Sequence, residues 1–167
     1  MTLGLSLSAF TLLHVIISLI GIGTGFIVVF GMMAGRRVPF WTAVFLVTTV
    51  LTNLTGFMFP FKGVTPGIVI GVLSTVVLAI ALFALYVGHL EGIWRGSYVI
   101  SSVVALFFNF FVLIVQSFEK VPALKALAPT QTEAPFKIAQ LAALVVFIAL
   151  GFFAFKKFRH SSVERTV

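Results

Sequence analysis

The chain has 167 residues, of which 60% are hydrophobic and 9% are charged, and its formal net charge is +7. A soluble domain usually carries about 25% charged residues, so this composition excludes an ordinary soluble fold and predicts an integral membrane protein. The absence of Cys and Asp excludes disulfides, thiolate metal sites and Ser-His-Asp triads.

Five apolar segments are each long enough to cross a bilayer, whose hydrocarbon core needs about 20 residues. The first charged residue is Arg36, and the run before it lacks the basic start of a signal peptide. We therefore predict an all-α polytopic bundle that forms one transmembrane domain over residues 1–167. The predicted spans are 8–33, 40–60, 66–88, 96–118 and 135–155, followed by a basic tail at 156–167.

The longest predicted loop, 119–135, lies between the last two spans and contains three prolines, which stiffen it. Residues 121–127 are predicted to lie along the interface as a short amphipathic turn. Thr130 stands three residues before Glu133, which is the spacing of a capping box at the start of the last helix.

The basic residues predict the orientation of the bundle, because cytoplasmic loops carry an excess of Lys and Arg. Five spans place the termini on opposite sides, and the bias predicts the N-terminus outside and the C-terminus inside. Since these residues flank apolar runs, they indicate topology, and nucleic-acid binding is not expected. The predicted inner side has Arg36, Arg37, Arg95, Lys156, Lys157, Arg159 and Arg165, and the outer side has Lys62, Lys120, Lys125 and Lys137.

Small residues at four-residue spacing predict where the helices pack, because lipid provides little hydrophobic reason for helices to associate. Gly21 and Gly25 form one GxxxG motif, and Gly67 and Gly71 form another. The motif is compatible with packing inside one bundle and with a homo-oligomer.

Uncharged polar residues within the spans predict a polar ligand-binding cluster in the outer half of the bundle, because amides in hydrocarbon need partners. His14 is the one ionisable side chain expected within the hydrocarbon, which makes it a candidate functional residue; the alternative is an interfacial histidine bonded to water or backbone. We predict no catalytic residue and no metal site. The candidate cluster is His14, Asn53, Thr55, Asn109, Gln116 and Gln140.

Two outer segments, Thr-Asn-Leu-Thr-Gly-Phe-Met-Phe-Pro-Phe at 52–61 and Lys-Val-Pro-Ala-Leu-Lys-Ala-Leu-Ala-Pro-Thr-Gln-Thr-Glu-Ala-Pro-Phe at 120–136, resemble a family of small bacterial inner-membrane proteins. The resemblance covers most of the chain. It implies a location in the bacterial inner membrane, and the family brings no assigned reaction to transfer.

Three functions stay open at this point. The first is a non-enzymatic bundle that binds a ligand or membrane lipids, or serves as an accessory subunit of a larger membrane complex. The second is a small-solute or ion transporter or channel that acts as an oligomer. The third is a redox protein that uses His14 to bind haem or quinone.

Overall fold

The computed structural model describes residues 4, 6–60, 63 and 66–160, with the side chains of residues 66, 159 and 160 left out. Five of its helices are long and apolar enough to cross a membrane, which confirms the prediction of an all-α bundle with five spans. The helices are α1 (Leu7–Met33), α2 (Pro39–Phe57), α3 (Pro66–Tyr86), α4 (Ile93–Lys120), α5 (Pro122–Leu127) and α6 (Ala134–His160).

Helices α1 and α4 contact each other and form the centre of the bundle. On one side of this centre, α2 packs on α1 and α3 packs on α4, and α2 and α3 contact each other. On the other side, α6 contacts both α1 and α4. α4 is the most buried of the five spans and α6 the least. The chain therefore surrounds two central helices with three outer ones.

Successive spans alternate in direction, which defines two sides of the bundle. The N-side contains the start of α1, the α2–α3 turn and the α4–α6 loop. The C-side contains the α1–α2 turn, the α3–α4 turn and the end of α6. That the C-side is cytoplasmic stays a prediction.

The centre of the bundle is closely packed around Gly25 of α1. A Cβ atom built on this glycine would lie 2.6 Å from Leu106 Cδ1 and 2.9 Å from Phe45 Cε2, and both of these side chains are fully buried. Only a residue without a side chain allows α1, α2 and α4 to approach this closely.

Polar side chains face the interior, whereas large apolar side chains cover much of the outside. This arrangement suits a membrane, because lipid accepts apolar groups and the interior offers hydrogen-bond partners. The buried polar residues are Thr24, Thr42, Thr49, Asn53, Thr55, Ser74, Ser101, Ser102 and Asn109.

The α1–α2 turn is fixed by Gly35, whose positive φ of 67° suits a residue without a Cβ atom. The backbone N–H of Arg36 donates to the Gly31 carbonyl at 2.8 Å, and this bond closes a Schellman motif at the end of α1. Pro39 then begins α2, where its missing N–H costs nothing. Arg36 and Arg37 are thereby held in a short connection at the C-side.

The α4–α6 loop begins with α5, which occupies most of the predicted interfacial turn. The predicted capping box is present in part, because the Glu133 carboxylate accepts a hydrogen bond from Thr130 N–H at 3.2 Å. Thr130 does not cap α6, however, since the helix begins at Ala134 and the Glu133 carbonyl accepts the helix bond from Lys137 N–H. The carboxylate closes the turn before the helix, where it also accepts from the Thr130 hydroxyl at 2.8 Å and from Thr132 N–H at 3.0 Å.

Candidate functional site

The polar residues predicted to form one cluster in the outer half of the bundle, which is the N-side half, make several separate contacts. His14 reaches Thr55 across the α1–α2 interface, with 2.7 Å between the imidazole Nδ1 and the hydroxyl oxygen. The Thr55 hydroxyl also lies 2.7 Å from the Leu51 carbonyl. A hydroxyl has one proton to donate. If the Thr55 proton is given to the Leu51 carbonyl, the Thr55 oxygen accepts from Nδ1–H of His14; if it is given to Nδ1, the imidazole proton lies on Nε2.

The His14 ring lies among aromatic groups. It meets Phe59 edge-on with ring centroids 5.2 Å apart, and Phe59 in turn packs on fully buried Phe10 at 5.0 Å. A Cβ atom on Gly56 would lie 3.7 Å from His14 Cε1, an ordinary van der Waals distance, so the imidazole packs against α2 at this residue. The imidazole is half-buried, and the second ring nitrogen, Nε2, has no hydrogen bond to any residue that the structure describes.

Asn53 belongs to a second contact, between α2 and α3. Its side-chain amide donates to the Thr75 hydroxyl at 3.3 Å. Asn109 of α4 is also buried, but its Nδ2 has no hydrogen-bond partner within the described part of the chain, and the same holds for the Ser74 hydroxyl of α3. These groups form a polar interior, but no contact joins them to His14.

The two glutamines occupy different environments. Gln140 Nε2 donates to the Phe111 carbonyl at 3.3 Å and so ties α6 to α4. Gln116 is exposed. A comparable contact that sequence reasoning missed is made by Gln131, whose Nε2 donates to the Val115 carbonyl at 3.0 Å and holds the loop against α4.

The glycines predicted to pack helices differ in their surroundings. Gly21 is buried against Thr48, whose hydroxyl oxygen would be 3.1 Å from an added Cβ atom, and Gly25 meets Phe45 and Leu106 as described above. Gly71 faces Phe57 Cε1 at 3.0 Å by the same measure. Gly67 is exposed.

A cavity of about 160 Å³ opens at the C-side, at the opposite end of the bundle from His14. Its lining combines the α1–α2 turn with the ends of α1, α3, α4 and α6. The polar lining residues are Arg36, Arg37, Thr42, Tyr86 and Tyr98, and the apolar ones are Val28, Met32, Val38, Pro39, Leu85, Leu90 and Phe158.

The cavity has a basic mouth and a polar wall. Arg36 and Arg37 are exposed, whereas Thr42 and Tyr98 are buried. Tyr98 lines the cavity together with Thr42 and Arg37. None of the described lining residues is acidic. The lining therefore includes two arginines, whose guanidinium groups are planar sets of hydrogen-bond donors, and no carboxylate.

The size of the cavity limits what it can hold. A cavity of about 150 Å³ accommodates a benzene-sized molecule, so a single phosphate, sulfate or carboxylate group would fit beside the arginines. Arginine forks match these anions because two parallel N–H donors can meet two oxygens.

Adjacent Arg36 and Arg37 are the part of this site that is visible in the sequence, where they indicate topology. The tyrosines lie far away along the chain and approach the arginines only through the packing of α3 and α4 on the first two helices. Within the residues that the structure describes, no group of three or more His, Cys, Asp or Glu side chains could hold a metal ion.

Comparison of the chain with known proteins finds no relative. No protein-family model matches the chain, and no curated protein or solved structure shows significant similarity to it. The resemblance to small bacterial inner-membrane proteins therefore stays a prediction, and the function has to be argued from the site itself.

Proposed function

We propose that this multi-pass membrane protein is a non-enzymatic bundle of the bacterial inner membrane that binds the phosphate group of an acidic lipid in the C-side cavity. The observation that carries the proposal is the pairing of Arg36 and Arg37 at the mouth of a cavity sized for one such group. Basic pockets between transmembrane helices are a known means of binding acidic headgroups.

The position of the cavity supports a lipid as the source of the phosphate. The α1–α2 turn connects two spanning helices, so the arginines lie at the depth where headgroups meet the hydrocarbon. Trp41 and Trp94 are partly exposed on the same side, as expected for side chains at a membrane interface. The acyl chains of a lipid bound here would lie along the apolar outer surface.

The packing of the bundle favours binding over conduction. Between the two sides, the interior contains Phe45, Leu46 and Leu106, each no more than 2% exposed. The close approach of three helices at Gly25 occupies the same region. These contacts fill the centre of the bundle, where a channel would require a continuous polar path.

Native mass spectrometry in mild detergent tests the proposal with dioleoylphosphatidylglycerol and dioleoylphosphatidylcholine, which share acyl chains and differ in headgroup charge. We expect the acidic lipid to be retained in preference. A hydrogen bond to a charged group contributes about 1.5–3 kcal/mol, so the double substitution R36Q/R37Q should weaken binding at least about tenfold.

The matched control is K156Q/K157Q, which removes the same charge from the same side at two exposed residues outside the described cavity lining. It should change binding by no more than about twofold. Equal losses in both variants would show general surface attraction and would refute a built site. Inorganic phosphate is the second ligand: if it binds as tightly as the acidic lipid, the site serves a free anion and the lipid assignment is wrong.

A further inference from the structure

A second site of different chemistry lies on the N-side, at the His14–Thr55 contact. From this geometry we infer that Nε2 of His14 accepts a hydrogen bond from the hydroxyl of a membrane-dissolved quinol. The inference concerns binding alone, and it does not depend on the lipid site at the C-side.

The contacts of Thr55 bear on the position of the imidazole proton. When the Thr55 hydroxyl gives its one proton to the Leu51 carbonyl 2.7 Å away, its oxygen accepts from Nδ1–H of His14. The neutral imidazole has one N–H and one lone pair. With the proton assigned to Nδ1 in this way, Nε2 presents the lone pair. An imidazole oriented by a hydrogen bond at one nitrogen commonly uses the other nitrogen for its ligand.

The imidazole lies close to the N-side end of the bundle. His14 lies seven residues after the start of α1, or about 10 Å along the helix axis, and Thr55 lies two residues before the end of α2. This is the border between headgroups and hydrocarbon on the N-side. A ligand dissolved in the membrane can reach it without crossing the bundle.

The surroundings of the imidazole are aromatic. Phe59 stands edge-on to the imidazole and rests on Phe10, and Gly56 of α2 packs against the imidazole at Cε1. An aromatic ring fits such walls, and the Nε2 lone pair requires that the ring carry a hydrogen-bond donor. A quinol has both features, whereas the corresponding quinone carries only acceptors.

Duroquinol and duroquinone test the inference, with binding to the purified protein measured anaerobically by isothermal calorimetry in detergent. A neutral hydrogen bond contributes about 0.5–1.5 kcal/mol, so the quinol should bind about two- to tenfold more tightly than the quinone. In H14L this preference should disappear while weak binding of both rings remains. Equal binding of both compounds by the unsubstituted protein, or tighter binding of the quinone, would overturn the inference.

Thr55 has a separate test, because its role is to position the imidazole proton. T55V keeps the shape of the side chain and removes the acceptor for Nδ1–H, so the preference for the quinol should fall. The matched control is T48V, on the same helix two turns away, whose hydroxyl bonds to the carbonyls of residues 44 and 45. It should leave the preference unchanged, and an equal effect of both substitutions would contradict the assigned role.

The position of the imidazole proton can also be measured in the unsubstituted protein, where no substitution can disturb folding. Nitrogen-15 NMR of the imidazole distinguishes a proton on Nδ1 from one on Nε2. We expect the His14 proton on Nδ1 before ligand is added, and a shift of the Nε2 resonance when duroquinol binds. A proton found on Nε2 would overturn the inference whatever the variants show.

Discussion

The contact at Gly25 gives the sharpest prediction about what holds the bundle together. In G25A the added methyl group would lie 2.6 Å from Leu106 Cδ1 and 2.9 Å from Phe45 Cε2. Carbon atoms prefer separations of about 3.5–4.0 Å, so the neighbouring atoms would have to move by roughly 1 Å. Because both neighbours are fully buried, the movement must spread into the packing of α1, α2 and α4.

The matched control is G23A, since Gly23 lies on the same helix, is exposed, and has no other atom within 4 Å of an added Cβ atom. Both substitutions gain the same intrinsic helix propensity, about 1 kcal/mol. Their difference therefore isolates the cost of overpacking, which is typically about 1–3 kcal/mol. We expect G25A to be less stable than G23A by about 2 kcal/mol.

The assay is reversible unfolding in mixed micelles with increasing mole fraction of sodium dodecyl sulfate, followed by circular dichroism. Free energies of unfolding are compared at the same detergent composition for the two variants and the unsubstituted chain. Agreement between the free energies of unfolding of the two variants to within about 0.5 kcal/mol, which is the change typical of neutral surface sites, would contradict this prediction. In that case the bundle is not closely packed at Gly25, and packing does not explain the GxxxG motif.

Three further substitutions test other parts of the structure. In G88A the new methyl group would overlap Trp94, with 2.7 Å to its Cδ1, so tryptophan fluorescence should shift as the α3–α4 turn rearranges. S74A removes a buried hydroxyl that has no partner among the described residues, and the free energy of unfolding should stay level or rise by about 1 kcal/mol. Although desolvation raises the pKa of Glu133, the hydrogen bonds from Thr130 and Thr132 outweigh it and hold the pKa below its ordinary value. The stability that Glu133 contributes is therefore full above the ordinary glutamate pKa and is lost as the pH falls through the folded value. The protection of the amides of residues 128–133 against hydrogen exchange, relative to the intrinsic rate at each pH, should fall over this range in the unsubstituted protein and stay constant in E133Q.

The number and approximate bounds of the spans could be predicted because each depends on a local property, the length of an apolar run. The predicted ends differ from the observed ones by a few residues where the helix continues into a polar turn. One example is the start of α4, which includes Trp94 and Arg95. The contacts between side chains could not be predicted in the same way. The depth of a residue in the membrane follows from its position in a span, but the direction in which its side chain points depends on how the helices are rotated about their axes. His14 and Thr55 meet, whereas Asn53 turns toward α3.

The C-side cavity was missed for a related reason. Adjacent arginines after an apolar run are explained well by topology, and nothing local shows that Tyr98 and Phe158 pack beside them. The cavity exists because four helix ends converge on one turn. Only the tertiary arrangement distinguishes a basic flank from a basic site.

The two proposed sites are far enough apart to be tested independently. His14 on the N-side and Met32 in the wall of the C-side cavity are 18 positions apart on α1, or about 27 Å at 1.5 Å per residue. No single headgroup or ring spans that distance, and the packed residues around Gly25 lie between the sites. We therefore expect R36Q/R37Q to leave duroquinol binding unchanged and H14L to leave acidic-lipid binding unchanged, each to within about twofold, a coupling of less than about 0.5 kcal/mol. A larger reciprocal effect would show that α1 shifts between two positions, and the bundle would then be an allosteric device with two ligands instead of a rigid scaffold with two separate sites.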